Sequence, residues 1–102
     1  MGNVNAAIKH IQRGIALRLV AETEDTGASV QLTQTFLRQC GYALEKDVIM
    51  GIYRYFEDKG LIKLYGTDGN NVHISRVIAK ITSKGTDVLD GTVKIDGMEL
   101  EY

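Results

Sequence analysis

A helical pattern gives way to a strand pattern within residues 56–62, which read FEDKGLI. Phe56 ends an apolar stripe at helical spacing, whereas Leu61 and Ile62 begin a β-prone run. Gly60 lies between the two patterns, and glycine just past the last helical turn is the usual left-handed cap. We therefore expect Gly60 to reverse the chain and the two apolar residues to tie a strand to a helical core.

Three helices are predicted before this junction. The second covers residues 31–40 and the third residues 45–59, and the short linker between them makes the pair a helix-turn-helix. A very short extended piece is expected at residues 28–30. The first helix covers residues 4–24, and its apolar stripe at helical spacing consists of Val4, Ile8, Ile11, Ile15 and Leu19.

A β-hairpin and a short helix are predicted after the junction. Residues 61–81 are β-prone at both ends and carry the turn-rich segment GTDGNN between them. Ile74 and Val77 fall in opposite phase, which predicts a bulge or twist between them. A hydroxyl cap at Thr82 or Ser83 predicts a fourth helix over residues 83–90, and an extended tail is expected over residues 91–102.

This order of elements is that of a winged helix, an α+β fold with a three-helix core, a two-stranded wing, a short C-terminal helix and a tail. The 102 residues suit one domain spanning residues 1–102. The core is predicted where the apolar stripes of separate elements meet. Its expected members are Ile8, Ile11, Ile15, Leu19, Phe36, Leu37, Ile49, Ile52, Phe56, Leu61, Ile62, Ile81 and Leu89.

The composition favours a cytoplasmic protein. Hydrophobic residues make up 44% of the chain and charged residues 25%, which is ordinary for a globular domain. No apolar run approaches the roughly 20 residues that cross a bilayer, and Lys9, His10 and Arg13 interrupt any signal-peptide pattern. A single cysteine, Cys40, gives no internal disulfide and fits a reducing compartment. We expect Cys40 to fill the core at the end of the second helix.

Four stretches of the chain carry a family resemblance: IALRLVAE at 15–22, GYALEKD at 41–47, FEDKGLI at 56–62 and ITSKGTDVLDG at 81–91. Together they resemble a family of small winged-helix proteins of Mu-like phages and prophages, whose names often borrow from ArsR-type regulators. The tail IDGM at residues 95–98 is similar to the family's Val-Pro-Gly-Val ending, with the proline missing. The likeness covers roughly residues 12–98 and implies a phage-associated, non-enzymatic winged helix. Relatives tend to carry serine where this chain has Glu45.

The residues give little sign of catalysis or of a cofactor. His73 and Ser75 share one strand face near Asp68, but nothing orients a base or builds an oxyanion hole, so a solvated wing is expected. Two histidines and one cysteine lie far apart in sequence and lack metal-ligand spacing. The glycines do not form a phosphate loop between a strand and a helix. We predict a protein that is not an enzyme and carries no metal or cofactor.

Double-stranded DNA is the leading predicted partner. In a DNA-binding winged helix, outward side chains of the third helix enter the major groove, and the wing and helix N-termini meet phosphates. Arg54 could read a guanine edge, while Lys46 and Arg38 could contact phosphates. The candidate DNA-binding residues are Arg38, Lys46, Met50, Arg54, Lys63, Asn70, Asn71 and Arg76.

A protein partner is the alternative, since residues 45–59 carry three basic and four acidic residues. Residues 1–81 hold ten Lys/Arg and eight Asp/Glu, against two and five in residues 82–102, so the chain has a mildly basic body and an acidic tail. The two hypotheses are a phage or prophage transcription regulator and an adaptor in phage assembly or DNA packaging. A positive stripe across the third helix and wing would favour DNA, and a neutral third helix with apolar patches would favour protein.

A homodimer is also predicted, because the first helix and the tail carry apolar residues beyond those that a three-helix body can cover. In the alternative, the tail folds back on its own subunit. The candidate interface residues are Leu17, Val20, Val88, Val93, Ile95 and Met98.

Overall fold

The computed structural model describes residues 2–69, 72–95 and 97–98, with side chains from Val4 onward. Within these residues the protein has an α+β architecture of four α-helices and a three-stranded antiparallel sheet. The predicted α+β class and the order of the helices and strands are confirmed, with helix boundaries shifted by one or two residues, whereas part of the segment predicted as the second hairpin strand is a 3₁₀ helix. The elements are α1 (Gly2–Glu22), β1 (Ala28–Ser29), α2 (Val30–Gln39), α3 (Lys46–Asp58), β2 (Ile62–Tyr65), a 3₁₀ helix (Ile74–Arg76), β3 (Ile78–Ile81) and α4 (Ser83–Leu89).

The sheet has β3 at its centre, between β1 and β2. The hairpin predicted over residues 61–81 is confirmed, with Ile62 opposite Ile81 and Tyr65 opposite Ile78. The extended piece predicted near residue 28 is the third strand, where Ala28 pairs with Ala79. The 3₁₀ helix occupies the place where opposite apolar phases predicted a bulge or twist, and it packs against α2 and α3.

The helix α1 buries more than the predicted stripe in its C-terminal half and less of that stripe at its N-terminal end. Its C-terminal half buries Ala16, Leu17 and Val20 completely, because α1 packs against β3, α2, α3 and α4 and is covered on several sides. The expectation that Leu17 lies on an exposed second face is therefore wrong. At the other end Val4 is 65% exposed and Ile8 is 37% exposed, since no described element covers that part of the helix.

The rest of the predicted core is largely confirmed. Ile11 and Ile15 are half-buried, and Ile81 and Leu89 pack partly buried against the core. Phe36 is wrongly placed, because it faces outward from α2 while Thr33 and Gln34 face inward. The confirmed buried members are Leu19, Leu37, Ile49, Ile52, Phe56, Leu61 and Ile62.

Tyr53 ties α3 to β1 and α2. Its hydroxyl donates to the Ala28 carbonyl oxygen at 2.8 Å and lies 2.6 Å from Thr33 Oγ1. The ring is fully buried, and that burial raises the pKa of Tyr53 to about 12, although the hydrogen bond with Thr33 acts in the opposite direction. Tyr53 lies at helical spacing from Ile49 and Phe56, which accounts for its burial, whereas the polar junction depends on the packing of α3 against β1 and α2.

The junctions that flank the hairpin follow the predicted chemistry. Gly60 has φ +75°, which confirms the left-handed cap after α3. Thr82 caps α4 by accepting from the Gly85 N–H at 3.1 Å, and its own hydroxyl donates to the Gly60 carbonyl at 2.7 Å. A Cβ on Gly85 would lie 2.3 Å from the Leu61 carbonyl oxygen, so only glycine permits this close packing of α4.

Candidate nucleic-acid interface

The outer face of α3 is almost neutral. Arg54 is exposed, but its guanidinium is 3.0 Å from the Glu57 carboxylate, and both side chains remain largely open to solvent. Lys46 is half-buried at the start of the helix, and Asp47 and Asp58 are exposed on its outer side. Helical spacing places these acidic residues around Arg54, which offsets its positive charge.

Met50 and Gly51 complete this outer face. Met50 is half-buried and packs against the core, so only part of its side chain is available for contact. Nothing lies within 4 Å of an ideal Cβ at Gly51, so the surface is open there. The outer face of α3 is therefore nearly neutral, and the positive stripe that would favour DNA does not run along it.

The remaining candidates lie on separate elements. Arg38 is exposed in the last turn of α2, and Arg76 is exposed at the end of the 3₁₀ helix. The 3₁₀ helix contacts both α2 and α3, which brings the base of the wing to the helix-turn-helix. Asn70 and Asn71 lie outside the described residues.

Lys63 belongs to a second surface, on the outer side of the sheet. Along β2 the neighbours Ile62 and Leu64 pack into the core, so the alternation of the strand turns Lys63 outward. Its direct cross-strand partner is Lys80 on β3, and directly opposed residues present their side chains on the same face. Lys63 also lines a shallow hollow with Lys84 of α4.

These three residues, Lys63, Lys80 and Lys84, form what we call the lysine face. Lys80 Nζ lies 5.1 Å from the centroid of the Tyr65 ring, which offers its charge a cation–π contact. Glu24 and Asp25 line a second hollow together with Lys63 and Lys80, yet no ion pair joins these acidic residues to the lysines among the described residues. Like charges directly opposite on a sheet destabilise it, so an anion bound between Lys63 and Lys80 would relieve their repulsion.

Lys80 and Lys84 are not among the residues predicted to contact DNA. Both lie in the segment AKITSKG, which predicts a strand running into a capped helix, and the alternation of that strand could have placed Lys80 outward. Which residue faces Lys80 depends on the register of the hairpin. The long turn between the strands does not specify that register.

The residues predicted for a dimer interface lie within the folded subunit. Leu17, Val20 and Val88 are buried in its core. The tail residues Val93, Ile95 and Met98 pack partly buried against that core, so the described part of the tail folds back on its own chain. The three buried residues therefore cannot line a dimer interface of the folded protein, while a role for the partly buried tail residues and self-association itself stay predictions.

The described residues show no other reactive cluster. No group of three or more His, Cys, Asp or Glu side chains in them could hold a metal ion. Cys40 is exposed at the C-cap of α2, contrary to its predicted place in the core, because the helix turns that position to solvent. No helix in the described part of the chain is long and apolar enough to span a membrane.

Comparison with known proteins gives no relative from which a function could be transferred. No family model matches the chain, and neither does any curated protein or solved structure.

Proposed function

We propose that this chain is a non-catalytic winged-helix protein that binds double-stranded DNA, as a phage or prophage regulator would. The order α1-β1-α2-α3-β2-β3-α4 and the central position of β3 are compatible with a winged helix. The unpaired lysine face carries the proposal. A fold alone does not choose a function, so the argument rests on this surface.

Phosphate neutralisation supplies most non-specific affinity for DNA. Lys63, Lys80 and Lys84 offer three cations without an acidic partner among the described residues, and their ammonium groups suit single phosphate oxygens. Arg76 on the 3₁₀ helix and Arg38 on α2 are exposed on other elements and are further candidates for phosphate contacts. In this proposal the lysine face, on the hairpin and α4, makes most of the phosphate contacts.

The helix α3 contributes less to affinity than the lysine face does, and its role is to read the bases. Arg54 can turn from Glu57 toward a guanine edge, since an exposed ion pair of this kind is worth only about 0–1 kcal/mol. Lys46 at the start of the helix adds a phosphate contact. Specificity then depends on Arg54, and affinity depends on the lysine face.

The proposal is tested by fluorescence anisotropy with labelled duplexes from phage and host DNA at several salt concentrations. The triple variant Lys63→Ala/Lys80→Ala/Lys84→Ala should lower the slope of log affinity against log salt by about 3, because each phosphate contact contributes about 0.9. Lys9→Ala/Lys59→Ala/Lys94→Ala removes the same charge elsewhere and should leave the slope nearly unchanged. Equal losses in both variants, or no binding at low salt, would contradict the proposal.

A protein-interaction adaptor is the second candidate function. Leu32 is 42% exposed and Phe36 is 36% exposed, and their spacing of four residues places both on one side of α2. Such a pair on a helix is an anchor for an apolar partner surface. Failure to bind DNA, together with capture of a phage structural protein that Leu32→Ser/Phe36→Ser abolishes, would favour this function.

A further inference from the structure

A cleft of about 290 Å³ lies between α1 and α3, away from the lysine face. Gln12 and Arg13 form its α1 side, and Val48, Gly51 and Ile52 form its α3 side. Pockets that hold small organic molecules begin at about 300 Å³, so this cleft suits a compact ligand. Among the described residues, no aromatic or acidic side chain lines it.

Gln12 is the unusual member of the cleft. The residue is only 8% exposed, and its amide forms no hydrogen bond with another described residue. Gln12 is not among the described residues that carry a fully buried, unpaired polar atom, so its amide is reachable from the cleft that it lines. Because Gln12 lines the cleft, a molecule that enters it can supply the missing partner.

Two cations stand beside Gln12. Arg13 is held in place, with its guanidinium 4.1 Å from the Tyr55 ring centroid and one nitrogen donating to the Gly97 carbonyl at 2.9 Å. A guanidinium has five N–H donors, so others remain available. Lys9 is exposed at the rim and forms no ion pair with a described residue. The polar end of the cleft is therefore positively charged.

We propose that this cleft binds a small branched aliphatic carboxylate. The carboxylate accepts from Lys9, Arg13 and the Gln12 amide, while the alkyl group packs against Val48 and Ile52. Gly51 leaves room for it, because it presents no side chain. This ligand is not nucleic acid, and the site does not depend on the proposed DNA binding. Two of the contacting residues lie on α3, so occupancy would affect that helix directly.

Titration of the ¹⁵N-labelled protein with isovalerate tests the proposal by NMR. We expect saturable shifts of the Gln12 side-chain amide and of the backbone amides of residues 48–52. Isovaleramide has the same shape without the charge and should bind at least about tenfold more weakly, and isoamylamine should not bind. Absence of shifts with isovalerate, or equal shifts with all three probes, would overturn the proposal.

Variants separate this site from general charge effects. Gln12→Leu removes the amide and keeps the cleft apolar, and Lys9→Ala removes the rim cation, so each should weaken isovalerate binding several-fold. Lys46→Ala is the matched control, since this lysine lies on α3 but does not line the cleft. A loss in Lys46→Ala as large as that in Lys9→Ala would overturn the proposal. The spectra of the variants also report whether each is folded.

Discussion

The outer face of α3 and the lysine face carry similar numbers of basic residues but differ in how these are paired. On α3, Arg54 is joined to Glu57, and further acidic residues stand around it. On the sheet, Lys63 faces Lys80 directly, and neither forms an ion pair within the described residues. The net charge of a segment therefore says less about anion binding than the local pairing of its charges.

The difference follows from the geometry of the two elements. Helical neighbours three or four residues apart are close in sequence, so the ion pair on α3 lies within a short segment. Cross-strand neighbours are fixed by the register of a hairpin, which brings together Lys63 and Lys80 from distant positions. Side-chain pairing on the helix is thus local, whereas the lysine face exists only in the folded protein.

The largest expected effect is a loss of folding stability when Tyr53 ionises, since unfolding removes the outer face of α3 and the lysine face together. Its pKa is about 12 in the folded protein against 10.0 ordinarily, so the folded state keeps the phenol proton more tightly than the unfolded state. This contribution to stability is fully present below about pH 10 and is lost as the pH rises to about 12. Two pKa units correspond to about 2–3 kcal/mol. Urea unfolding across this pH range should show the loss.

Tyr53→Phe is the control for this prediction. The variant loses the hydrogen bonds to Ala28 and Thr33 and should be less stable at neutral pH, by about 1–3 kcal/mol for the buried groups left unpaired. Its stability should fall less steeply above about pH 10, because the variant lacks the phenol that titrates there. The other titrating side chains are the same in both proteins, so the difference between the two stability curves reports on Tyr53 alone. Parallel curves for the two proteins would exclude Tyr53 as the source of alkaline instability.

The sequence was sufficient to predict the element order because each signal was local. The transition at residues 56–62, the glycine after α3 and the Thr82 cap are all confirmed, and each depends on residues within one turn. The buried face of α1 was not predictable in this way. That helix has apolar residues on more than one side, and only the arrangement of four neighbouring elements determines that Leu17 is buried and Val4 is exposed.

The candidate site was predictable only in part, for the same reason. Exposed basic residues such as Arg38, Arg54 and Arg76 could be named from helix and wing positions. The ion pair of Arg54 depends on a rotamer, and the lysine face depends on strand register. The tail also folds back onto the core, which removes the predicted interface residues Val93, Ile95 and Met98 from free surface. Periodicity alone contains no information about these long-range contacts.

An effect of intermediate size is expected from Lys63→Thr. This variant should make the fold more stable while it weakens DNA binding. Removing one of two directly opposed like charges, and placing a β-branched residue on a strand, should stabilise the fold by about 0.2–1 kcal/mol. The same variant should bind duplex DNA more weakly. Urea unfolding measures the first change and fluorescence anisotropy the second.

A double-mutant cycle with Lys80→Thr checks the cause. If Lys63→Thr stabilises the fold by relieving repulsion between the two lysines, Lys80→Thr should add less stability in the Lys63→Thr variant than in the wild-type protein. Strictly additive stabilities would mean that the strand preference of threonine explains the gain. A stabilised Lys63→Thr that binds DNA as the wild type does would remove Lys63 from the phosphate contact.

The smallest effect is expected from Glu57→Gln, which makes the outer face of α3 more like the lysine face. The substitution frees Arg54 and removes one negative charge, so DNA affinity should rise by up to about fivefold, given that exposed ion pairs are worth up to about 1 kcal/mol. Asp58→Asn removes the same charge from the same helix, and Asp58 is not paired with Arg54. A larger rise in Glu57→Gln than in Asp58→Asn, measured by anisotropy on one duplex, would assign the gain to the released arginine. Equal rises would reflect charge alone, and no rise in either would mean that α3 does not approach the DNA.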